Sequence, residues 1–178
     1  KEFKSNYHDL DLLSQNNMPN NFAALGNIQY QGSFIGFYND FVSFGNISTQ
    51  IGNFKTDINI KYSEGLDKAK YSGTLSTDFF KINAFIKEAQ IDDIGFDVRI
   101  DGVGMSRDHY RINLDGKMPH LTFNGHTFKN ITAKGEMSKA RFAGQAQFRD
   151  ENLDLDFDGE FRSDLKVPSA HFTADIHK

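Results

Sequence analysis

Three aspartates near the C-terminal end of the chain have the spacing of a calcium-binding loop. Asp154, Asp156, Asp158 and Gly159 spell D-x-D-x-D-G, in which alternate carboxylates would supply oxygen ligands to a hard cation. The glutamate that completes such a loop is missing, because the sixth residue after the glycine is Leu165. The residues between the acids are apolar, and this alternation is typical of a strand with one solvated face. We therefore interpret the acids as the polar side of a strand.

No stronger candidate for chemistry comes from the histidines or from catalytic motifs. His120 and His126 flank a turn, without a third ligand near them in sequence. The chain has no cysteine and no G-x-S-x-G, P-loop or H-E-x-x-H motif. The sequence therefore predicts that the protein is not an enzyme and needs neither a metal nor a cofactor.

Composition narrows the class of protein further. The net charge of −4 over 178 residues argues against a nucleic-acid partner. No run of 18 apolar residues is present, so no transmembrane helix is expected. The 18 Phe, 15 Gly and only 3 Pro favour a long meander of strands. Because the chain starts at Lys1 without a methionine, we expect it to be an internal piece of a longer protein.

Alternation of apolar and polar residues is clearest between Ile131 and Phe161, where it predicts three strands with one apolar face each. Short polar turns separate them, at Ser138-Lys139 and at Arg149 to Asn152. Asn124-Gly125 is a strong signal for another hairpin turn. Pro119 interrupts a strand and indicates an edge, a bulge or a bend.

A glycine recurs in the apolar phase of these strands, where a large side chain is usual. The unit apolar–x–Gly–x–apolar appears around Gly32, Gly73, Gly116, Gly135, Gly144 and Gly159. The glycines either let the sheet bend sharply or leave space on its apolar face for a ligand. If Arg149 faces Asn152, Gly144 lies opposite Phe157 and Gly159 opposite Phe142. If Ser138 faces Arg141, Gly135 lies opposite Gly144.

The chain is predicted to be organised as one β-rich segment. Residues 1–27 form an irregular lead-in, with Asp9 to Leu12 as the end of a strand and Pro19 to Leu25 as a helical turn. Residues 28–77 form the first strands, 78–90 a short helix and 91–178 a β meander. The helix, around 79–89, rests on the i, i+3, i+4, i+7 spacing of Ile82, Phe85, Ile86 and Ala89, with Asp78 as a possible cap.

Three stretches of the sequence resemble one known family. They are IQYQGSFIGFYNDFVSFGNISTQIGNFKTDINI, which begins at Ile28, KYSGTLSTDFFKINAFI from Lys70 to Ile86, and ENLDLDFDGEFRSDLKVPSAHFTADI from Glu151 to Ile176. The last combines an L-x-x-x-F-x-G strand, a loop with a proline and an aromatic strand. In their order these stretches resemble the TamB family of AsmA-like proteins in its Bacteroidetes form, over nearly the whole chain.

The resemblance implies a fold, a location and partners. TamB-like proteins of Gram-negative bacteria are anchored in the inner membrane and cross the periplasm as a β-sheet curled into an open trough with an apolar interior. The chain would then be a segment of a bridge that carries phospholipids between inner and outer membranes and takes part in outer-membrane biogenesis. Its partners would be phospholipid acyl chains, neighbouring segments of the parent protein and an outer-membrane barrel of the Omp85 type. The chain lacks the anchor and the C-terminal domain of the family.

The expected fold is therefore mainly β, a curled antiparallel sheet forming an open trough, with the one short helix. The residues expected to line the trough are those in the apolar phase: Tyr30, Phe34, Ile58, Ile60, Leu75, Ile100, Leu114, Met118, Phe142, Phe148, Leu155, Phe157, Phe161 and Phe172. Ile82, Phe85 and Ile86 would cap one end of it. For each residue, ordinary core packing is the alternative.

Two other folds fit parts of the pattern. An outer-membrane β-barrel also has alternating strands, but aromatic girdles are not evident and a helix has no place in its wall. A soluble β-sandwich that binds a ligand, such as a carbohydrate, would need exposed aromatic residues on a polar face. Here the Phe residues are expected to stay in the apolar phase, and Trp is absent.

Overall fold

The computed structural model describes residues 2–13, 20–62, 64–85, 91–106, 109–139, 141–162 and 169–177. In these residues, eleven strands form one antiparallel sheet in which spatial order equals sequence order. The strands are β1 (Glu2–Asn6), β2 (Asn27–Phe37), β3 (Asp40–Ser48), β4 (Asn53–Lys61), β5 (Lys70–Phe80), β6 (Ile91–Val103), β7 (Arg111–Phe123), β8 (His126–Ser138), β9 (Arg141–Arg149), β10 (Asp154–Arg162) and β11 (Ser169–Ile176).

The predicted fold class, a mainly β, curled antiparallel sheet that stays open, is confirmed. β1 and β11 are the two edges, and every strand between them pairs with its two neighbours in sequence. Within the described ranges, no second sheet packs on either face. The alternation of the sequence therefore produces a single layer with one apolar and one polar face.

The N-terminal residues are more ordered than the predicted irregular lead-in over 1–27. β1 pairs with β2 from Glu2 opposite Gln31 to Asn6 opposite Asn27, because the exposed edge of β2 offers it a ladder of hydrogen bonds. The alternation from Asp9 to Leu12 belongs to helix α1 (Tyr7–Leu13), not to a strand. Asn6 caps this helix, since its side-chain Oδ1 accepts a hydrogen bond from the backbone N–H of Asp9.

The predicted helical turn up to Leu25 is confirmed as a 3₁₀ helix, Asn20–Leu25, followed by Gly26 in the left-handed region at φ +63°. Pro19 lies outside the described residues. The prediction of a helix around 79–89 is wrong at its start. Helix α2 covers Ile82–Phe85, and residues 78–80 belong to β5 instead.

Strand pairing explains why β5 extends this far. Phe80 pairs with Ile94 of β6 and bridges to Gly52, so its backbone is held in the sheet rather than in a helix. The remainder of the predicted helix, including Ile86 and Ala89, lies outside the described residues. Among the helices that the structure describes, none has the length and apolar character needed to span a bilayer.

The turns fix the register of the C-terminal strands. Ser138 faces Arg141 and Gly135 faces Gly144, as predicted. The register predicted between β9 and β10 is wrong by two residues, because Arg149 faces Asp154 rather than Asn152. Asp150 and Leu153 exchange backbone hydrogen bonds, so the tip of the hairpin is Glu151-Asn152. The carboxylate of Asp150 accepts a hydrogen bond from the N–H of Asn152 and stabilises this turn.

Two other local predictions hold. Asn124 and Gly125 both have positive φ, 49° and 76°, and form the two-residue turn between β7 and β8. Pro119 lies where the register between β6 and β7 shifts, after Lys117 opposite Asp97 and before His120 opposite Gly95. The proline thus occupies an irregularity in an inner strand, because it cannot donate to the ladder.

Buried side chains are few, as expected for a single layer. One cluster, formed by Ile51, Phe80 and Ile94, lies where the 3₁₀ helix Asn20–Leu25 and helix α2 meet the sheet. Among the described residues, the largest side chain that is almost fully buried is Ile131 of β8, which is 1% exposed. It lies between Met118 on β7 and Phe148 on β9, so burial here comes from neighbours in the same face.

We expect Ile131→Ala to destabilise the sheet by about 2–5 kcal/mol, since it opens a cavity at an almost fully buried position. The matched control is Ile176→Ala on β11, where the side chain is 71% exposed, and this change should cost less than about 1 kcal/mol. Urea denaturation measures both free energies of unfolding. Equal losses for the two variants would contradict the burial seen at Ile131.

Candidate ligand-binding face

The apolar face consists of rows of side chains that cross the sheet at right angles to the strands. Directly paired residues of antiparallel strands point to the same side, so the register identifies each row. One row, which we call the glycine row, runs from β2 to β11: Phe34, Ser43, Ile58, Gly73, Ile100, Leu114, Gly135, Gly144, Gly159 and Phe172. Because the row is continuous, β2 and β11 present side chains on the same face of the sheet, although they lie far apart in the sequence.

The predicted lining residues all belong to this face where the structure describes them. Five lie in the glycine row: Phe34, Ile58, Ile100, Leu114 and Phe172. The others lie in the rows beside it: Leu75 and Phe157, then Ile60 and Phe142, then Tyr30, Met118, Phe148 and Leu155. The side chain of Phe161 and the whole of Ile86 lie outside the described residues.

The same face contains large apolar residues that were not among those predicted to line it. They are Phe41, Ile47, Phe54, Val98, Ile112 and Ile131. Each follows the same alternation in its strand, so the signal that would have found them is the period of two itself.

Exposure differs along the apolar face. Most of its side chains are half-buried by their neighbours, whereas Phe34 and Phe172, at the two ends of the glycine row, are largely exposed. In the described part of the chain, the elements that pack over this face are the 3₁₀ helix Asn20–Leu25 and helix α2. The middle and the β11 side of the face are therefore accessible to a ligand.

The helices cover the apolar face at one end of strands β3 to β6. Ile82 and Phe85 of α2 pack on the cluster of Ile51, Phe80 and Ile94. Phe85 also contacts Phe22 of the 3₁₀ helix, with ring centroids 5.2 Å apart. Two of the three predicted capping residues thus lie on the sheet at one end of the face.

Rings from the same face fill the hollows above the glycines. The ring of Phe142 covers both Gly135 and Gly144, while Gly159 is covered by Phe157 and Phe172. The predicted pairings of Gly144 with Phe157 and of Gly159 with Phe142 are wrong, because Gly144 lies opposite Gly159. The aromatic cover comes mostly from residues of the same strand or of a diagonal neighbour. Because a glycine has no side chain, a ring can lie flat over it. The apolar face therefore has fewer protruding rings than its sequence indicates.

Tyr30 shows how completely such a hollow can be filled. Its ring lies over Gly32 and Gly45, and the residue is only 7% exposed. Its hydroxyl donates to a backbone carbonyl, of Ser33 or Phe44, at 3.1 Å and accepts from the hydroxyl of Ser43 at 3.0 Å. Tyr30 is thus a structural residue of the face, with its polar atom satisfied inside the protein.

Two tyrosines, Tyr71 on β5 and Tyr110 just before β7, are partly buried. Burial raises the pKa of Tyr71 to about 12, helped by the neighbouring Tyr110 and Asp101. Burial also raises the pKa of Tyr110. Desolvation disfavours the charged phenolate, so both shifts indicate an apolar environment near the β5–β7 region.

The polar face carries ion pairs. Arg149 contacts Asp154 and Asp156, and His177 lies 3.0 Å from Asp156. The amide of Gln145 donates to Asp158 at 2.8 Å. The three acids of the D-x-D-x-D-G stretch therefore have protein partners, as expected for a solvated strand face. Among the described residues, no group of three or more His, Asp or Glu side chains could hold a metal ion.

The expectation that Phe stays in the apolar phase is wrong at the β2–β3 hairpin. Phe37 and Phe44 lie on the polar face, together with Ile35 and Val42, and all four are exposed. The hairpin is thus apolar on both faces. This pattern is readable in the sequence as loss of alternation from Phe34 to Phe37.

Comparison with protein-family models, with curated proteins and with solved structures finds no match for this chain.

We expect Gly144→Ala to destabilise the protein by about 1–3 kcal/mol through overpacking. A Cβ atom added there would lie 2.4 Å from the carbonyl oxygen of Lys134 and 2.7 Å from the Cα of Gly135, so the backbone must move. Ser72→Ala, at an exposed position of the polar face, is the control and should change stability by less than about 0.5 kcal/mol. An unchanged urea midpoint for Gly144→Ala would contradict the close approach of β8 and β9.

The acidic strand gives a prediction for pH. A hydrogen bond from Arg149, followed by one from His177, lowers the pKa of Asp156 below its ordinary value of 3.8. A lowered carboxyl pKa stabilises the folded state above the unfolded pKa, and this contribution disappears as the pH falls through the folded value. In Arg149→Gln, NMR titration of the Asp156 carboxyl carbon should give a higher pKa, and the difference in thermal stability from the original chain should shrink below about pH 4. Arg99→Gln, which removes an exposed cation of β6, should leave that titration unchanged.

Proposed function

We propose that this chain is a segment of an envelope protein that carries phospholipids, whose acyl chains lie on the apolar face of the sheet. The observation that carries the proposal is the continuous apolar face, which no second layer covers within the described residues. A single-layer sheet with such a face is unstable in water unless something apolar shields it. The resemblance to TamB-like proteins supports lipid as the substance that does so.

The glycine row is longer than one acyl chain, as transport along the face would require. The glycine row crosses nine strand-to-strand steps from β2 to β11, which at about 4.8 Å each gives about 43 Å. One acyl chain spans half of a bilayer core, or about 15 Å. Several positions along the row can therefore accept the same chain.

The chemistry of the face favours movement along it. Contact with Ile100, Leu114 and their neighbours is non-directional and stabilises a bound chain by about 0.8 kcal/mol for each buried methylene. Two hydroxyls on the face are engaged inside the protein: Ser43 with Tyr30, and Thr56 with the carbonyl of Gly45. These two groups are therefore not available to hold a lipid at one point by a hydrogen bond, while its headgroup stays in water.

The setting of the protein is proposed from the resemblance alone. The segment would lie in the periplasm of a Gram-negative cell, within a parent protein anchored to the inner membrane. Its neighbours would be further segments of that parent and an outer-membrane barrel of the Omp85 type. Ile82 and Phe85 would close one end of the lipid path, because they already cover the sheet there.

Photo-crosslinking tests the proposal directly. A benzoylphenylalanine at Leu114, in the glycine row, should capture phospholipid when the chain is expressed in the periplasm of a Gram-negative host. The same group at Asn113, the adjacent residue on the polar face, should capture at least about tenfold less. Mass spectrometry of the purified adduct identifies the lipid.

The control separates lipid on the face from lipid carried nonspecifically. Equal capture at Leu114 and Asn113, or capture at neither, would overturn the proposal. A second position pair, Phe157 and Asp158 on β10, repeats the comparison on the far side of the sheet and should give the same contrast.

A further inference from the structure

One row of side chains on the polar face lies at the rim of the sheet where β2 ends and β3 begins. Directly paired residues point to the same side, so the register identifies this row as it identified the glycine row. We call it the rim row, and its members from β3 to β11 are Asp40, Lys61, Lys70, Val103, Arg111, Ser138, Arg141, Arg162 and Ser169. It contains five cations and one anion, although the net charge of the chain is −4.

Like charges lie directly opposite each other in the rim row. Lys61 faces Lys70 across β4 and β5, and Arg141 faces Arg162 across β9 and β10. Like charges at paired positions destabilise a sheet, so an anion bound beside them would lower the free energy of the folded state. The cations come from five different strands, so it is the register that brings them together.

Three acids lie behind this row. Asp101, Glu136 and Glu160 belong to the next row of the polar face, one step further from the rim. Arg111 Nε lies 3.8 Å from a carboxylate oxygen of Glu136, and Arg141 Nε lies 2.9 Å from one of Glu160. A guanidinium has five N–H donors, so each arginine retains donors for a further anion. The side chain of Arg111 is 70% exposed, so such an anion can reach it.

The two lysines of the rim row are open to solvent. Lys61 Nζ lies 2.8 Å from Asp40, the one anion of the row, and its side chain is more than half exposed. Lys70 is exposed as well. One carboxylate therefore accompanies a pair of ammonium groups, which leaves positive charge for a phosphate to neutralise.

The loops beyond the rim row add little net charge in the described residues. Glu64 pairs with Lys68 at 3.2 Å, and Asp67 lies 3.6 Å from His109. Lys139, at the turn between β8 and β9, is a further exposed cation. The positive charge of this rim therefore comes mainly from the rim row itself.

The same rim exposes apolar side chains. Tyr38, at the turn between β2 and β3, is 82% exposed, and Val103 and Met105, where β6 ends, are about half exposed. Tyrosine rings are enriched at the headgroup level of bilayers, because one end of the ring is apolar and the other is polar. Exposed apolar residues beside a line of cations are typical of a surface that contacts a membrane.

We propose that this rim binds the surface of an anionic phospholipid bilayer, with the cations of the rim row on lipid phosphates and Tyr38 and Met105 among the headgroups. Six strand-to-strand steps separate Lys61 on β4 from Arg162 on β10, which at about 4.8 Å each gives about 29 Å. A single phosphate would occupy one pair of cations, whereas a charged surface contacts the whole row. A soluble polyanion offers charge but no apolar layer for the exposed side chains.

This inference goes beyond the proposed function and does not require it, because it concerns the polar face and lipid headgroups. If both hold, the strands stand upright on the bilayer. A lipid that leaves the bilayer then meets the apolar face of the sheet at this rim.

Vesicle binding tests the charge of the rim row. The chain should bind vesicles of equimolar phosphatidylcholine and phosphatidylglycerol at least about tenfold more tightly than vesicles of phosphatidylcholine alone, and about 1 M NaCl should remove that difference. Lys70→Gln combined with Arg111→Gln should weaken binding to the anionic vesicles about thirtyfold, which corresponds to about 1 kcal/mol for each basic residue. Cosedimentation measures the partition coefficients.

The control makes the same change of charge away from the rim. Lys55 on β4 and Lys117 on β7 are exposed on the polar face, six residues or about 20 Å along their strands from Lys61 and Arg111. Lys55→Gln combined with Lys117→Gln should change binding less than about twofold, because the Debye length is about 10 Å at 0.1 M salt. Equal losses for the two double variants, or equal binding to charged and uncharged vesicles, would overturn the proposal.

A fluorescent probe locates the contact, since the chain has no cysteine of its own. A nitrobenzoxadiazole group attached at Tyr38→Cys should brighten and shift to the blue with the anionic vesicles, because it enters a less polar medium. The same group at Glu151→Cys, an exposed position in the turn at the opposite rim, should not. Equal shifts at both positions, or none at Tyr38→Cys, would refute the proposal.

Two further measurements separate this proposal from its alternatives. Binding to heparin as tight as binding to the anionic vesicles, with no shift of the probe, would refute the bilayer and assign the rim row to a soluble polyanion. Capture of lipid at Leu114 depends neither on vesicle charge nor on the rim row. The proposed function can therefore fail while anionic vesicles bind, and this inference can fail while lipid is captured.

Discussion

Hydrogen bonds between strands that follow one another in the chain hold this protein together. Every strand finds its partners in its immediate neighbours, and within the described residues no strand crosses over another. This arrangement satisfies the backbone but gives no second layer to bury the apolar face. Part of that face is shielded by its own side chains, because aromatic rings lie over glycines of the same face.

Rings and glycines provide this shielding together. A ring that stands upright on a sheet exposes both of its sides, whereas a ring that lies over a glycine exposes one. Tyr30, Phe142 and Phe157 all lie down in this way. The glycines lower strand stability on their own, by about 0.5–1 kcal/mol each relative to alanine, and the ring contacts offset part of that cost. The result is a sheet that is close-packed within one layer.

The alternation of the sequence was sufficient to predict the strands, their shared face and most turns. Successive side chains of a strand point to opposite faces, so a strand with one apolar face has an apolar residue at every second position. Alternation could not give the register of β9 and β10, because the four polar residues Arg149 to Asn152 leave open which two form the tip, and in the structure Asp150 pairs with Leu153 around Glu151 and Asn152. It also missed β1, since a five-residue strand containing Glu2 and Lys4 carries little apolar signal. The helix at Ile82 begins later than its pattern suggests, because pairing of Phe80 with Ile94 competes with helix formation.

The polar and apolar faces differ in how predictable they were. Alternation predicted which side chains lie on the apolar face. It did not predict how deeply each is buried, because burial depends on the side chains of the adjacent strands, as at Ile131. The polar face was correctly interpreted as solvated at the three aspartates. It was misjudged at Phe37 and Phe44, where the alternation stops and both faces become apolar.

Sequential pairing gives the sheet a modular length. Because the strands between the two edges contact mainly the ones before and after, a hairpin is a complete unit with its own backbone partners. Insertion or deletion of one hairpin would change the length of the sheet by about 10 Å without altering the register elsewhere. Duplication of hairpins can therefore lengthen such a sheet with no redesign of a core.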